Sequence, residues 1–325
     1  MQFGPHETEA RDAALATLCE RIRAVSTAPL NEPAQLLLEA LLAKHPGAAA
    51  LFYGSGASVA RADDPASIIF DFYIIGESYD ALYSSGAMKL ANKLVPPNVF
   101  YFETPSPFGT LRAKYAVLSL DHFEKLVSEE TFHSYFWARF AQPCRIHGGS
   151  TAMAARLETA LAIAIATFCK RAAGLFDGPF TARELWLAGL GVSYKAELRA
   201  EDESRAAKLI ESYGDWAASV TVPALTYAGI DLDIEGAVIR PKQTPPQTAR
   251  AWRLRGAQGA VLSALRLLKG TQTFKGGIDY IAWKIQRHSG IDLEITDWER
   301  RHPMLGAPGA ALRYYRLRAQ TNRNA

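Results

Sequence analysis

Gly54-Ser55-Gly56 follows directly on an apolar run, AAALFY (48–53), and one carboxylate, Asp71, stands inside the next apolar run, SIIFDFYII (67–75). Residues of these types in this order can do phosphate chemistry. Small loop residues let backbone N–H groups approach phosphate oxygens. A carboxylate on an adjacent strand can hold Mg²⁺, which bridges phosphate oxygens and neutralises charge as a bond to pyrophosphate breaks. Sixteen positions separate Ser55 from Asp71, room for a connection and the start of a second strand. The same residues also fit a plain tight turn and a paired strand carboxylate. Where two carboxylates share such a strand they alternate along it. Here the second position is Tyr73, so other acids must help, and Glu77, Glu103 and Asp121 are the nearby candidates.

Periodicity indicates the elements that must position these residues. Apolar spacing predicts helices over 7–25 and 33–45. AAALFY is a short strand, and SIIFDFYII, β-branched and aromatic, is a second. Its alternation puts Asp71 and Tyr73 on one face, with Phe70 and Phe72 on the other. A helix is expected over 79–94, strands over 99–103 and 114–119, a helix capped at Ser119, and another helix over 131–140. This first part is therefore an α+β unit. After Pro143 the pattern turns helical. An Ala-rich helix is expected over 151–174, TARE (181–184) matches a capping box, and 201–220 forms a third helix. A hairpin is expected within 222–241, and PKQTPPQT (241–248) reads as a linker. Beyond it, Leu254, Val261, Leu265 and Leu268 share one helical stripe. Arg250, Arg253, Arg255, Arg266 and Lys269 are available to flank that stripe, and Ile278, Ile281 and Ile285 repeat the idea.

The chain has 325 residues, 49% hydrophobic and 21% charged, which is the composition of a soluble globular protein. Its net charge of +3 conceals an asymmetry: residues 1–240 carry 21 basic and 28 acidic side chains, and residues 241–325 carry 15 and 5. A basic C-terminal quarter suggests an anionic partner: phospholipid headgroups, nucleic acid or a phosphorylated substrate. Cys19, Cys144 and Cys169 are far apart, with no metal-ligand spacing, and read as reduced thiols of a cytosolic-type compartment. The start, MQFGPHETEARDAAL, has no apolar leader. The apolar core TALAIAIATFC (159–169) is too short to span a bilayer, so any membrane contact is expected to be peripheral.

The surrounding blocks add a family likeness. FYGSGASV (52–59), IIFDFYIIGE (68–77), LYSS (82–85), NVFYFET (98–104), LRAKYAVLSLDHFEKLV (111–127) and ARFAQPCRI (138–146) resemble, in this order, the mitochondrial-type CDP-diacylglycerol synthases, also called translocator assembly and maintenance proteins. PALTYAGIDLD (223–233) and the tail segment 260–285 match more loosely. The resemblance implies a nucleotidyltransferase-fold mixed sheet with helices over 1–147, a helical, winged-helix-like domain over 148–240 and a basic amphipathic, membrane-associating segment over 241–325. It implies the reaction CTP + phosphatidate → CDP-diacylglycerol + pyrophosphate, with Mg²⁺. By position, Gly54, Ser55 and Gly56 would hold the triphosphate and Asp71 the metal, with Glu77 as a second acid near the strand end. Lys114, as a catalytic cation, and Arg139 would face phosphates.

These readings lead to one expectation and two rivals. The expectation is a phosphatidate cytidylyltransferase of phospholipid biosynthesis, cytoplasmic and peripherally bound to the inner membrane. Its acceptor would be phosphatidate or a related lipid phosphate on an anionic membrane surface, with no nucleic acid partner. One rival is a nucleotidyltransferase with a non-lipid acceptor. The other is a non-catalytic relative that binds membrane or nucleic acid. Asp121 also fits a first-turn helix acid, Asp231 and Asp233 fit hairpin acids, and the seven histidines show no metal spacing.

Overall fold

Two apolar runs of opposite facing build the centre of the sheet. The computed structural model describes residues 4–53, 65–196, 203–243, 249–273, 292–301, 306, 309–310, 312–314 and 316. Helices α1 (Pro5–Ser26) and α2 (Glu32–Lys44) precede strand β1 (Ala49–Tyr53). Strand β2 (Ile69–Gly76) leads into two short helices, α3 (Tyr79–Leu82) and α4 (Gly86–Leu94). The single helix expected over 79–94 is divided at Tyr83–Ser85, because Ser78 and Ser85 each cap a separate helix start through the side-chain oxygen. Strands β3 (Asn98–Ser106) and β4 (Gly109–Ser119) form a hairpin, and α5 (Leu120–Val127), α6 (Trp137–Phe140) and β5 (Cys144–Gly148) follow.

The five strands lie in the order β3-β4-β2-β1-β5. β2 and β4 run parallel and the other neighbours run antiparallel, so this is an α+β protein with a mixed sheet. The alternation expected in β2 is present. Phe70, Phe72 and Ile74 face a core filled by Leu37, Leu38 and Leu41 of α2. Tyr73 and Ile75 face the larger core on the opposite side. β5 is a strand that periodicity did not indicate. CRIHG has one β-branched residue, and it is recruited as the edge partner of β1, with Cys144 opposite Tyr53.

The larger core continues into the helical half. Helix α7 (Thr151–Ala173), β6 (Phe180–Thr181), α8 (Ala182–Ala196), α9 (Glu203–Ser212) and α10 (Trp216–Tyr227) come next, then the hairpin β7 (Leu232–Glu235) and β8 (Val238–Pro241). β6, β8 and β7 form a small second sheet. The helix expected over 201–220 is broken at 213–215, where Gly214 takes a left-handed conformation with φ of 58°, and helix resumes through Tyr227. Thr181 and Glu184 make the expected capping box at the start of α8. Among the described residues α7 alone is long and apolar enough to cross a membrane. It is mostly buried inside the protein, and its Glu158 receives Arg23 of α1 at 2.6 Å.

α7 and α8 approach closely at Gly189. A Cβ there would lie 2.7 Å from Phe168 Cζ and 2.9 Å from Ala172 Cβ, below ordinary contact. Gly189→Ala is therefore expected to overpack this contact and cost about 1–3 kcal/mol, read as a lowered urea midpoint at unchanged slope. An unchanged midpoint would mean that the two helices separate freely.

After residues 244–248, which lie outside the described residues together with most of the expected linker, helix α11 (Ala249–Thr273) runs back over the first half. A short helix, α12 (Asp297–Arg301), lies near the end. Leu254, Val261 and Leu265 of α11 are exposed. The expected flanking by basic residues is corrected. Arg250 and Arg253 are exposed, but Arg255 is buried, and Arg266 and Lys269 donate to backbone carbonyls of the first half. Ile278, Ile281 and Ile285 lie outside the described residues.

Candidate functional site

Register places Asp71 beside a cation. β2 and β4 are parallel neighbours, and Asp71 is the Cα partner of Lys114. Adjacent strands lie roughly 5 Å apart, so the carboxylate and the ammonium leave neighbouring backbones on one face. Tyr101 of β3 pairs with Lys114 and extends that face. Tyr53, the last residue of β1, lies on the other side of β2.

A second cation, Arg139 of α6, acts on the carboxylate through its charge. Arg139 Nη1 donates to Tyr53 Oη at 3.1 Å, and the guanidinium lies 4.3 Å from the centre of the Tyr135 ring. Asp71 is half-buried. Burial pushes its carboxyl up from the ordinary value, and the charges of Lys114 and Arg139 pull it back. Burial also pushes up the hydroxyls of Tyr53 and Tyr73, which stay protonated. The Tyr73 ring packs 4.9 Å from Phe140, 5.5 Å from Tyr53 and 6.4 Å from Phe136. The position that would carry a second strand carboxylate is thus an aromatic core position.

The other sequence candidates are distributed. Gly54, Ser55 and Gly56 lie outside the described residues, just after Tyr53. Glu77 does not join Asp71. Six strand positions separate them, about 20 Å, so one ion cannot take both carboxylates. Glu77 instead borders a separate cavity of about 500 Å³ with Tyr79, Lys89, Lys93, His122 and Lys125. Glu103 lies two strands away from Asp71 and is held by Arg112 Nε at 3.1 Å and by the Tyr101 hydroxyl. Asp121 accepts from Arg156 at 2.7 Å, and Asp233 lies 3.8 Å from Lys242. Among the described residues no three potential ligands cluster to hold a metal.

One carboxylate nevertheless fits Mg²⁺ in this chemistry. Mg²⁺ keeps several waters and is commonly held by one or two carboxylates together with substrate phosphates. Two cations beside that carboxylate suit a polyanionic ligand.

Three residues of this region were not assigned to the site by the sequence. Tyr53 anchors Arg139, Tyr135 supports its guanidinium, and Arg266 lies against Tyr135 at 3.8 Å from the ring centre. Beside Cys144, the partner of Tyr53, opens a cavity of about 400 Å³. Arg21, Cys144, Arg145, Tyr213 and Trp216 line it. Tyr213 Oη donates to Gln142 Oε1 at 2.5 Å, which ties the helical half to the segment leaving α6.

No protein-family model and no curated protein matches this chain.

Proposed function

We propose that this protein is a Mg²⁺-dependent nucleotidyltransferase that joins CTP to phosphatidate, giving CDP-diacylglycerol and pyrophosphate. The observation that carries the reading is the pairing of Asp71 with Lys114 in parallel register, with Arg139 acting on the same carboxylate, on the strand that follows the Gly-Ser segment. The five-stranded mixed sheet supports a nucleotidyltransferase fold, and the helices with their small hairpin support a winged-helix-like second part.

The chemistry needs little from the protein beyond position and charge. A phosphate acceptor is already an anionic nucleophile near neutral pH. It must be aimed in line at the α-phosphate and its repulsion from the triphosphate offset. Lys114 and Arg139 supply two positive charges for that purpose. Asp71 would hold Mg²⁺, which would supply positive charge to offset that of the leaving pyrophosphate. Gly54, Ser55 and Gly56 would offer backbone N–H groups to the triphosphate. The exposed Leu254, Val261 and Leu265, with Arg250 and Arg253, suit the surface of an anionic membrane that holds the lipid acceptor.

The test is pyrophosphate release from each of the four nucleoside triphosphates, with Mg²⁺ and phosphatidate in mixed micelles. Release is expected only with CTP, Mg²⁺ and phosphatidate together. Release indifferent to lipid would reject phosphatidate as acceptor and keep nucleotidyl transfer. No release, with vesicle binding retained, would replace the enzyme by a non-catalytic binder.

A further inference from the structure

Helix α11 meets the rest of the chain, the first half and α8 alike, through a face made of cations, an indole and a glycine. Trp252, Arg255, Gly259, Arg266 and Lys269 fall on one side of the helix, since steps of three, four and seven residues return to nearly the same direction. Arg255 Nε donates to Phe132 O at 3.0 Å, and its guanidinium lies 4.7 Å from the Phe132 ring centre and 4.9 Å from that of Trp252. One turn on, Gly259 passes so close to α8 that a Cβ would overlap the carbonyl oxygen of Ala196. Arg266, three turns beyond Arg255, donates through Nε to Pro96 O at 2.8 Å and stacks on Tyr135. Lys269 Nζ donates to Pro97 O at 2.8 Å and also to Val95 O.

These contacts form a physical path to Asp71. Tyr135 and Arg139 are four residues apart, and Ala138 N donates to Ser134 O at 3.0 Å, so one helical turn brings the ring and the guanidinium together. Arg139 in turn holds Tyr53 and acts on Asp71. Each guanidinium–ring contact lies within the range where a cation is attracted to an aromatic face. A ring gripped from α11 cannot rotate away without giving up the Arg266 stack, and Arg139 leans on that ring.

We propose that Arg266 is a positioning residue: from helix α11 it fixes Tyr135 and thereby the Arg139 guanidinium that is bonded to Tyr53, next to Asp71 on the neighbouring strand. The contact surface of α11 thus completes a site whose other described residues come from the first 140 positions. The consequence for nucleotide binding rests on the nucleotidyl-transfer reading above, whereas the fixing of Tyr135 and Arg139 does not.

The experiment compares the full chain with Arg266→Ala, Arg266→Lys and Gly259→Ala. Amide hydrogen exchange is read over 135–141 and over 252–263, and kcat and KM for CTP are measured. Arg266→Ala is expected to speed exchange over 135–141 about tenfold and leave 252–263 protected, since Arg255 and Gly259 still dock the helix. KM for CTP should rise about fivefold to tenfold with kcat within about twofold, the size of one cation–π contact. Arg266→Lys keeps a cation but not the planar fork, so it should fall between. Gly259→Ala lifts the helix without removing a charge and should move both readouts the same way. Unchanged exchange over 135–141 in Arg266→Ala overturns the positioning role, whether or not the wild type turns over CTP. Faster exchange with an unchanged KM in an active enzyme assigns Arg266 to packing alone and overturns it too. Absence of turnover in the wild type sinks the enzymatic reading and leaves exchange to decide the positioning.

Discussion

Asp71→Asn is expected to lower nucleotidyl transfer by about 10³-fold or more and, at the same time, to raise the thermal midpoint near neutral pH. The loss follows from the proposed role: a carboxylate that held Mg²⁺ would support several kcal/mol of charge stabilisation, at about 1.36 kcal/mol per tenfold in rate. The gain follows from burial. Protein around Asp71 raises its pKa in the folded state above the unfolded value, so the folded chain holds the proton to higher pH. Asp71 therefore favours folding most at low pH, below the unfolded carboxylate value of about 3.9, and costs stability as pH rises through the folded value. Asparagine carries no such cost, so the gain in midpoint should be larger at pH 8 than at pH 4. Leaving Lys114 and Arg139 without their carboxylate offsets part of the gain. Thermal melts at both pH values and the pyrophosphate assay check this together. A variant that melts lower than wild type at pH 8 would mean that charge pairing outweighs burial. A variant with full activity would remove Asp71 from the chemistry.

Phe140→Ala should be the most destabilising single change near the site, at about 3–5 kcal/mol. Phe140 is almost completely buried, and its ring centre lies 4.8 Å from Phe123, 4.9 Å from Tyr73 and 5.7 Å from Tyr53. It is the next residue after Arg139, so the cavity left by truncation opens directly under the short helix that carries that guanidinium. Chemical unfolding measures the cost as a lower midpoint at unchanged slope, and Phe140→Leu should lose much less because it keeps most of the volume. A loss below about 1 kcal/mol would mean that the tyrosines collapse into the space.

The strands around Asp71 were legible because their chemistry is local. SIIFDFYII alternates, and alternation alone assigns Asp71 to one face and Phe70 and Phe72 to the other, as found. The partnership of Asp71 with Lys114 was not legible, since it depends on two strands 43 positions apart aligning in parallel. Segment 131–140 shows the limit most clearly. Its spacing predicts a helix, but only Trp137–Phe140 is helical. The carbonyls of Thr131 and Phe132 accept instead from Trp137 Nε1, Arg171 and Arg255. Arg255 lies more than a hundred residues away, so nothing within the segment announces that its carbonyls are already committed. The same holds for the tail. A count of its basic residues suggests an anionic partner for the whole tail, whereas the fold turns Arg255 and Lys269 inward, and burial lowers the pKa of both, that of Lys269 to about 8.

The long separation between α1 and its partner α10 also orders events in time. Leu18 and Ile22 of α1 are buried in the larger core, Arg23 pairs with Glu158 of α7, and Arg11 lies 5.3 Å from the Tyr227 ring of α10. α1 packs along α10, which begins 190 residues after α1 ends. At about 5–20 residues per second, a ribosome needs roughly 10–40 s to deliver that partner. Throughout that interval the part of α1 that packs along α10 lacks its final cover. Helix α1 therefore waits for a partner made long after it, and a growing chain offers a holding chaperone part of its apolar face in the meantime.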